Sequence, residues 1–291
     1  MILGGDVGGT RTTLALLEPK NDALEIVRLE NYLSREHASL DEIVAKFASG
    51  FTAPVTAAGF GVAGPVVNGR VSTMNLPWLV DGAKLASQLG LPRVALLNDI
   101  EAQAWSIEWL EPTDVLTLQE GVAAPTGNIG VIAAGTGLGF AALIHSARGL
   151  VSLSSQGGLA NFAPRVEIEV ELFGELRARF GHVNIERVLS GPGILNVYLF
   201  LRDSGRGEQP QWLSEEMDKV DASVAIGKAG IDGTSALCEQ TLELFLAMYG
   251  AESGSWALRT FARGGLYVCG ELGAKLLCGQ PGTRGWSPSP T

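Results

Sequence analysis

Two carboxylates and two glycine–threonine runs carry most of the chemistry that this sequence offers. Asp6 sits in Gly5-Asp6-Val7-Gly8-Gly9-Thr10, between Met1–Gly4 and the apolar run Leu14-Ala15-Leu16-Leu17. A glycine-rich turn between two apolar runs this short predicts a strand, a tight turn and a returning strand, with glycine supplying the positive φ that the turn needs. Backbone N–H groups in such a turn can converge on an anion, and at Gly8 and Gly9 no Cβ obstructs a phosphate. A carboxylate beside a phosphate makes sense only with a cation between them, and Mg²⁺ with its retained waters fits that place next to Asp6. The plainer reading is a structural hairpin with Asp6 as an ordinary turn former, and this motif alone favours it.

A second run shifts the balance. Asn128–Ala133 leads into Ala134-Gly135-Thr136-Gly137-Leu138-Gly139 and out through Phe140–Ile144, which again predicts strand, turn, strand. The Thr10 and Thr136 hydroxyls are both available to a phosphate oxygen, and two anion cradles suggest a polyphosphate held between two related halves. The pattern is unlike a dinucleotide fingerprint, whose glycine-rich turn opens a helix, and unlike a Walker A loop, which ends in Gly-Lys-Ser/Thr.

The remaining carboxylate is Asp99. Val94-Ala95-Leu96-Leu97 reads as an apolar strand ending at Asn98-Asp99, with a helix starting at once. Ligands of open α/β sheets sit beyond the carboxyl ends of the strands, so Asp99 falls where a reacting group belongs. It is equally suited to capping the helix. As a base it would accept a proton from a hydroxyl, the part Asp plays in phosphoryl transfer to an alcohol. In Met74-Asn75-Leu76-Pro77-Trp78, Trp78 reads as a buried anchor, while the Asn75 amide is open to a substrate hydroxyl.

Composition bounds the partners. The chain has 291 residues, 46% hydrophobic and 18% charged, enough for two domains with their own cores. A net charge of −10 without a basic run argues against nucleic acid. Three cysteines, Cys238, Cys269 and Cys278, show no zinc-ligand spacing and no even-numbered framework, which suggests a reducing compartment. With no signal peptide and no membrane span expected, a cytoplasmic protein is the reading.

The elements that must position these groups follow from pattern. Ser39-Leu40-Asp41-Glu42 has capping-box spacing before Leu40, Ile43, Val44 and Phe47, with Gly50 as the stop. Residues 57–63 read as a buried strand, Asn68-Gly69 as a hairpin turn and 83–89 as a short helix. Val151–Pro164 reads as a Gly/Ser-rich loop, and Glu167–Phe180 as a helix stopped at Gly181. In Glu186-Arg187-Val188-Leu189-Ser190-Gly191-Pro192-Gly193 one helix ends and another starts at Pro192, so its first N–H groups are offered to a ligand; Glu186 reads equally as a solvated residue. Ser235–Tyr249 and Ser253–Phe261 read as two further helices, Gly265–Gly270 as a short strand, and 279–291 as a frayed tail.

Taken together and in order, Gly-Asp-Val-Gly-Gly-Thr at 5–10, Leu-Asn-Asp ending at Asp99, Ala-Gly-Thr-Gly-Leu-Gly at 134–139, Gly-Gly-Leu-Ala-Asn-Phe-Ala-Pro at 157–164 and Glu-Arg-Val-Leu-Ser-Gly-Pro-Gly at 186–193 resemble the bacterial-type glucokinases. The resemblance runs from residue 1 to about 275. It implies a two-lobed α/β, ribonuclease-H-like fold of the actin, hexokinase and Hsp70 group, with mixed sheets flanked by helices and an interdomain cleft. The expected division is a small lobe over 1–107, a large lobe over 108–278 and an irregular tail over 279–291. The implied reaction is transfer of the γ-phosphoryl group of ATP to the 6-hydroxyl of glucose with Mg²⁺. Asp99 matches the catalytic base and, with Asn75, Asn98, Gln156 and Glu186, the sugar contacts. Asp6, Gly8, Gly9 and Thr10 match the first phosphate site and Gly135, Thr136 and Gly137 the second, with Gly191 and Gly270 as further nucleotide contacts and Asp6 reaching the metal through water. A homodimer is the implied assembly.

Two departures stand out. The family loop at 156–159 supplies a Glu and a His to the sugar, where this chain has Gln156 and Leu159. Losing such a bond to a buried hydroxyl costs roughly 1–3 kcal/mol. The family also continues past the strand at 265–269 with further helices. These features motivate one alternative to an active sugar kinase, a weak or inactive relative that senses sugar or nucleotide; a separate and weaker reading is an acetate- or acyl-kinase-like or ATPase relative without a sugar.

Overall fold

The opening run forms a hairpin. β1 (Ile2–Val7) pairs antiparallel with β2 (Arg11–Lys20), from Ile2 opposite Leu17 to Val7 opposite Thr12. The reason for its glycines differs from expectation. Neither Gly8 nor, in the second turn, Gly135 or Gly137 takes a left-handed φ; glycine provides clearance at Gly8, from the Arg11 carbonyl, and at Gly137, from the Glu186 carboxylate, whereas Gly135 has open space around it. The computed structural model describes residues 1–278 except 22, 52, 74, 75 and 123, and omits the side chain of 278. Asn75 and the expected tail at 279–291 lie outside the described residues. The chain divides into two compact units, Met1–Ser106 and Ile107–Thr291.

In the first unit β3 (Ala23–Leu33) pairs antiparallel with β2, a strand the pattern did not announce. α1 (Leu40–Ala48) starts where Ser39 accepts the Glu42 N–H; the Glu42 carboxylate reaches back to the Ala38 N–H, one residue before the cap. Leu40, Ile43, Val44 and Phe47 are each at most 1% exposed, and burying side chains of this kind stabilises by about 1.5–3 kcal/mol apiece. β4 (Ala57–Val62) runs parallel to β1. A tight turn at Asn68-Gly69, both with positive φ, precedes the two-stranded pair β5 (Arg70–Ser72) and β6 (Leu79–Asp81). Trp78 is the expected anchor, 4% exposed, with its Nε1–H donated to the His37 carbonyl. After α2 (Gly82–Leu89), β7 (Ala95–Asn98) runs parallel to β4 and leads directly into α3 (Asp99–Ser106). The sheet order is β3-β2-β1-β4-β7.

The second unit repeats the scheme. β8 (Ile129–Ala134) and β9 (Leu138–Ser146) form the second hairpin. β10 (Gly149–Ser155) pairs antiparallel with β9, so the first part of the expected loop is an edge strand. Its serines are compatible with that place because an edge strand faces water on most of its surface. α4 (Glu167–Phe180) ends at Gly181 with φ +75°, and α5 (Gly191–Asp203) has Ser190 as its N-cap. The residues just before α5 hold one 3₁₀ turn, Ile185–Arg187, in place of an ending helix. α6 (Gln211–Met217) and α7 (Ala222–Ile231) follow.

The two helices expected over 235–261 are one, α8 (Ala236–Thr260), 25 residues long. Gly250 and Gly254 fail to break it. A helical glycine costs about 1 kcal/mol relative to alanine, and buried Phe245, Met248, Tyr249 and Trp256 outweigh that cost. β11 (Gly265–Cys269) lies parallel to β8, giving the order β10-β9-β8-β11, and α9 (Glu271–Cys278) closes the described chain.

Candidate functional site

In the first unit the turn at 8–10 is closed by Gly8 N–H donating to the Arg11 carbonyl at 2.9 Å. Among the described residues the Gly9 and Thr10 N–H groups and the Thr10 hydroxyl have no partner. That leaves two successive amides and a hydroxyl for an anion. Asp6 stands at the end of β1, with more than a third of its surface open, yet enough protein surrounds its carboxyl for burial to raise its pKa.

Asp99 is the first residue of α3 and shares the capping part with its sequence neighbour, its own Oδ1 accepting the Ile100 N–H at 3.0 Å. The Asn98 Oδ1 accepts the Ile100 N–H at 3.1 Å while its Nδ2 donates to the Gly64 carbonyl at 3.1 Å. Asn98 is 9% exposed and so works mainly on the backbone, with one amide hydrogen left over. α3 can approach β4 because Gly61 lacks a side chain; a Cβ there would lie 2.9 Å from the Cβ of Ala102. The Asp99 carboxyl is half-buried, and burial raises its pKa. The Ile100 N–H opposes that rise, and the negative charge of Asp6 adds to it. Two carboxylates therefore lie within electrostatic reach of one another in this unit, and a cation between them would relieve both.

In the second unit Gly135 N–H donates to the Gly137 carbonyl at 2.9 Å, and the Gly135 carbonyl accepts the Gly191 N–H, the first of α5, at 2.8 Å. Gly191 thus serves the turn with the N–H expected to serve a ligand, and Ser190 Oγ takes the Gly193 N–H at 3.1 Å. Among the described residues the N–H groups of Thr136 and Gly137 and the exposed Thr136 hydroxyl have no partner. Glu186 holds the far side: its Oε2 accepts the Leu138 N–H at 3.0 Å, and a Cβ on Gly137 would come within 2.6 Å of that oxygen. Oε1 has no partner among the described residues. Gly270, with φ +85°, abuts the Ala134 carbonyl, so its glycine is required by backbone geometry.

A cavity of about 270 Å³ opens beside this turn, lined by Thr136, Leu159, Asn184, Glu186, Arg187 and Asn196 among others. Asn184, Arg187 and Asn196 lie outside the set of site residues expected from the sequence. The Arg187 guanidinium lies 4.3 Å over the Phe180 ring, and the Asn196 amide donates to the Arg187 carbonyl, so both are held in place. Leu159, 51% exposed, presents apolar surface to the cavity, and Gln156 is exposed with no side-chain partner among the described residues.

Among the described residues no three or more His, Cys, Asp and Glu cluster as a metal cage, and no helix is long and apolar enough to cross a membrane. Mg²⁺ does not need a cage, since one or two carboxylates with waters and substrate phosphates suffice. The raised pKa values of Asp6 and Asp99 mark a pair of hard oxygen donors that fits such an ion.

Comparison with known proteins defines the class. The crystal structure of a glucokinase from an Antarctic psychrotroph matches with a TM-score of 0.81 at 28% identity, covering 95% of this chain and 85% of that one. A ROK family glucokinase from Streptomyces griseus, solved with glucose and AMPPNP, shares the fold with a TM-score of 0.63 at 17% identity, over 96% of this chain and 86% of that one. The fold is that of the sugar kinases, the α/β actin/hexokinase-like ATPase class, as the motifs implied. A glucokinase of Nostoc punctiforme is 38% identical over 292 residues, 95% of this chain and 86% of that protein, and the family model described as Glucokinase matches residues 3–278. The chain belongs to the glucokinase family, whose activity is phosphoryl transfer to a sugar hydroxyl.

Proposed function

We propose that this protein phosphorylates the 6-hydroxyl of D-glucose with ATP and that Asp99 is the general base. One observation carries the assignment: a half-buried carboxyl at the junction of β7 and α3, made more basic than an ordinary aspartate by burial and by Asp6. A base must attract the proton of the attacking hydroxyl, and an upward shift strengthens that attraction. Asp99 takes the proton of the attacking hydroxyl as its oxygen bonds to the γ-phosphorus, and the bond to the leaving ADP oxygen breaks.

The first turn offers the Gly9 and Thr10 amides to nucleotide phosphate, and the second offers those of Thr136 and Gly137, backed by the N-terminus of α5. Asp6, with Asp99 nearby, would hold Mg²⁺, which when bound neutralises phosphate charge. Glu186, fixed by Leu138 through one oxygen, keeps the other for a sugar hydroxyl, with Asn98, Gln156 and Asn75 as amide contacts. Leu159 gives that sugar no hydrogen bond. The glucose and AMPPNP bound by the Streptomyces relative support the substrate pair. The spacing of Cys238, Cys269 and Cys278 supports a cytoplasmic enzyme, and the family resemblance supports a homodimer, which sedimentation would reveal.

The test is coupled ADP release with a panel of hexoses, ATP and Mg²⁺. Glucose-dependent release well above that of an Asp99→Ala control is expected. Release no greater than that control refutes the proposal, and a preference for another hexose corrects the sugar alone.

A further inference from the structure

Ser34 follows β3, 26 positions from the Gly8 carbonyl it touches, and nothing in its sequence surroundings marks it. It is 0% exposed, and its hydroxyl and backbone N–H both serve the first turn and its neighbour Thr12, while its carbonyl accepts the His37 N–H. Its Oγ–H donates to the Gly8 carbonyl at 2.8 Å, and its backbone N–H donates to the Thr10 carbonyl at 3.0 Å. A hydroxyl has a single proton, so with Ser34 committed to Gly8, the 3.0 Å contact between Ser34 Oγ and Thr12 Oγ1 has Thr12 as the donor. The chain Thr12 to Ser34 to Gly8 therefore has a fixed direction.

Peptide planarity turns this into an effect on the ligand side. In a trans peptide the C=O and N–H point in opposite directions. The Gly8 carbonyl shares its plane with the Gly9 N–H, so drawing that oxygen inward onto Ser34 turns the Gly9 N–H outward. Anchoring the Thr10 carbonyl fixes the other end, with the Thr10 N–H between the two anchors. These are the two amides of this turn that have no partner among the described residues.

We propose that Ser34 is a positioning residue for phosphate binding, which through the Gly8 and Thr10 carbonyls holds the Gly9 and Thr10 amides in a donor geometry, with Thr12 as its own support. The proposal rests on the reading of this turn as a nucleotide phosphate site. Ser34 touches no substrate. Its contribution is preorganisation, so its loss acts on nucleotide binding and leaves sugar binding alone.

The test compares wild type, Ser34→Ala and Thr12→Val by kinetics with ATP and glucose varied separately and by residue-resolved amide exchange. Ser34→Ala is expected to raise KM for ATP about tenfold, the worth of one buried hydrogen bond, with KM for glucose within about twofold of wild type. Exchange of the Gly8 N–H and of the residue-34 N–H should accelerate by about the same factor, while that of Gly135 N–H stays unchanged. Thr12→Val, nearly the same shape, should move the same quantities by a smaller factor and decides the matter if Ser34→Ala does not fold. Unchanged exchange at Gly8, or equal rises in both KM values, overturns the proposal. A wild type without glucose-dependent ADP release overturns the kinase reading instead, and the exchange measurement still decides whether Ser34 holds the turn.

Discussion

The two hairpin turns achieve the same outcome by different means. In each, the carbonyl of the first glycine is drawn inward and the next two N–H groups are left open: Gly8 by the Ser34 hydroxyl, Gly135 by the Gly191 N–H of α5. The strand schemes around them agree, β3-β2-β1-β4 and β10-β9-β8-β11, with the same sequence of antiparallel and parallel pairings. The difference lies in what the pin is made of. A hydroxyl pin is one side chain deep, whereas a helix N-terminus brings a whole packed element and a favourable dipole. The first turn is thus open to adjustment by point substitution, and the second is fixed by the core behind it. Charge is divided the other way. The first unit gathers Asp6 and Asp99 where, among the described residues, no basic side chain offsets their raised pKa values, while one oxygen of Glu186 in the second is satisfied by the Leu138 N–H.

The largest test of that division is Asp99→Asn. It should lower kcat by about 10²- to 10⁴-fold, the worth of a general base, without lowering the melting temperature. The sign follows from linkage: a carboxyl whose folded pKa lies above 3.8 holds its proton more tightly when folded, so wild-type stability falls as pH rises through the interval between those two values. Melting curves from pH 3.5 upward should show the variant gaining on wild type above that interval and matching it below. A variant that loses stability at neutral pH would mean that Asp99 is stabilised as an anion.

Gly137→Ala comes next. Its Cβ would meet Glu186 Oε2 at 2.6 Å and push it off the Leu138 N–H, whereas Gly135 has open space around it. KM for glucose should rise about tenfold in Gly137→Ala and stay near wild type in Gly135→Ala. Equal effects would erase the distinction between a carboxylate-backed position and a free one.

A smaller effect concerns the ion. Mg²⁺ with ADP should raise the melting temperature of wild type more than that of Asp6→Asn, since the neutral amide removes one of the two charges a cation relieves. Equal shifts would take Asp6 out of the metal site. The smallest is Ser190→Ala, which removes the cap on α5 at a cost of about 1 kcal/mol. It should shift KM for ATP less than Ser34→Ala does, because the Gly191 N–H that pins Gly135 belongs to the backbone.

Elements with a local cause were legible in the sequence. α1 followed from Ser39 and its apolar spacing, the β7-α3 junction from an apolar run meeting Asn98-Asp99, and α4 from its periodicity and Gly181. β3 was not, because Leu24, Glu25, Ile26, Val27, Arg28 and Leu29 give no clean alternation and most of the strand is exposed on an edge. β10 was concealed by its serines, and the continuity of α8 by glycines whose cost only tertiary packing outweighs. In the site, the residues inside motifs could be named. Ser34 could not, since the partners of its hydroxyl lie 22 and 26 positions away, nor could Asn196, which the start of α5 brings to the cavity beside Glu186.

The length of α8 has a further consequence. Its Tyr249 hydroxyl receives the Ala134 N–H at one end of the second hairpin, and its Trp256 Nε1–H is donated to the Ala141 carbonyl further along. The helix is therefore a ruler laid against two strands, with about 10 Å of axial rise between the marks. Exchanging exposed side chains between those marks leaves the spacing intact. Inserting or deleting a single residue there would rotate one mark away from its strand by about 100°, so that stretch should accept substitutions and refuse any change of length.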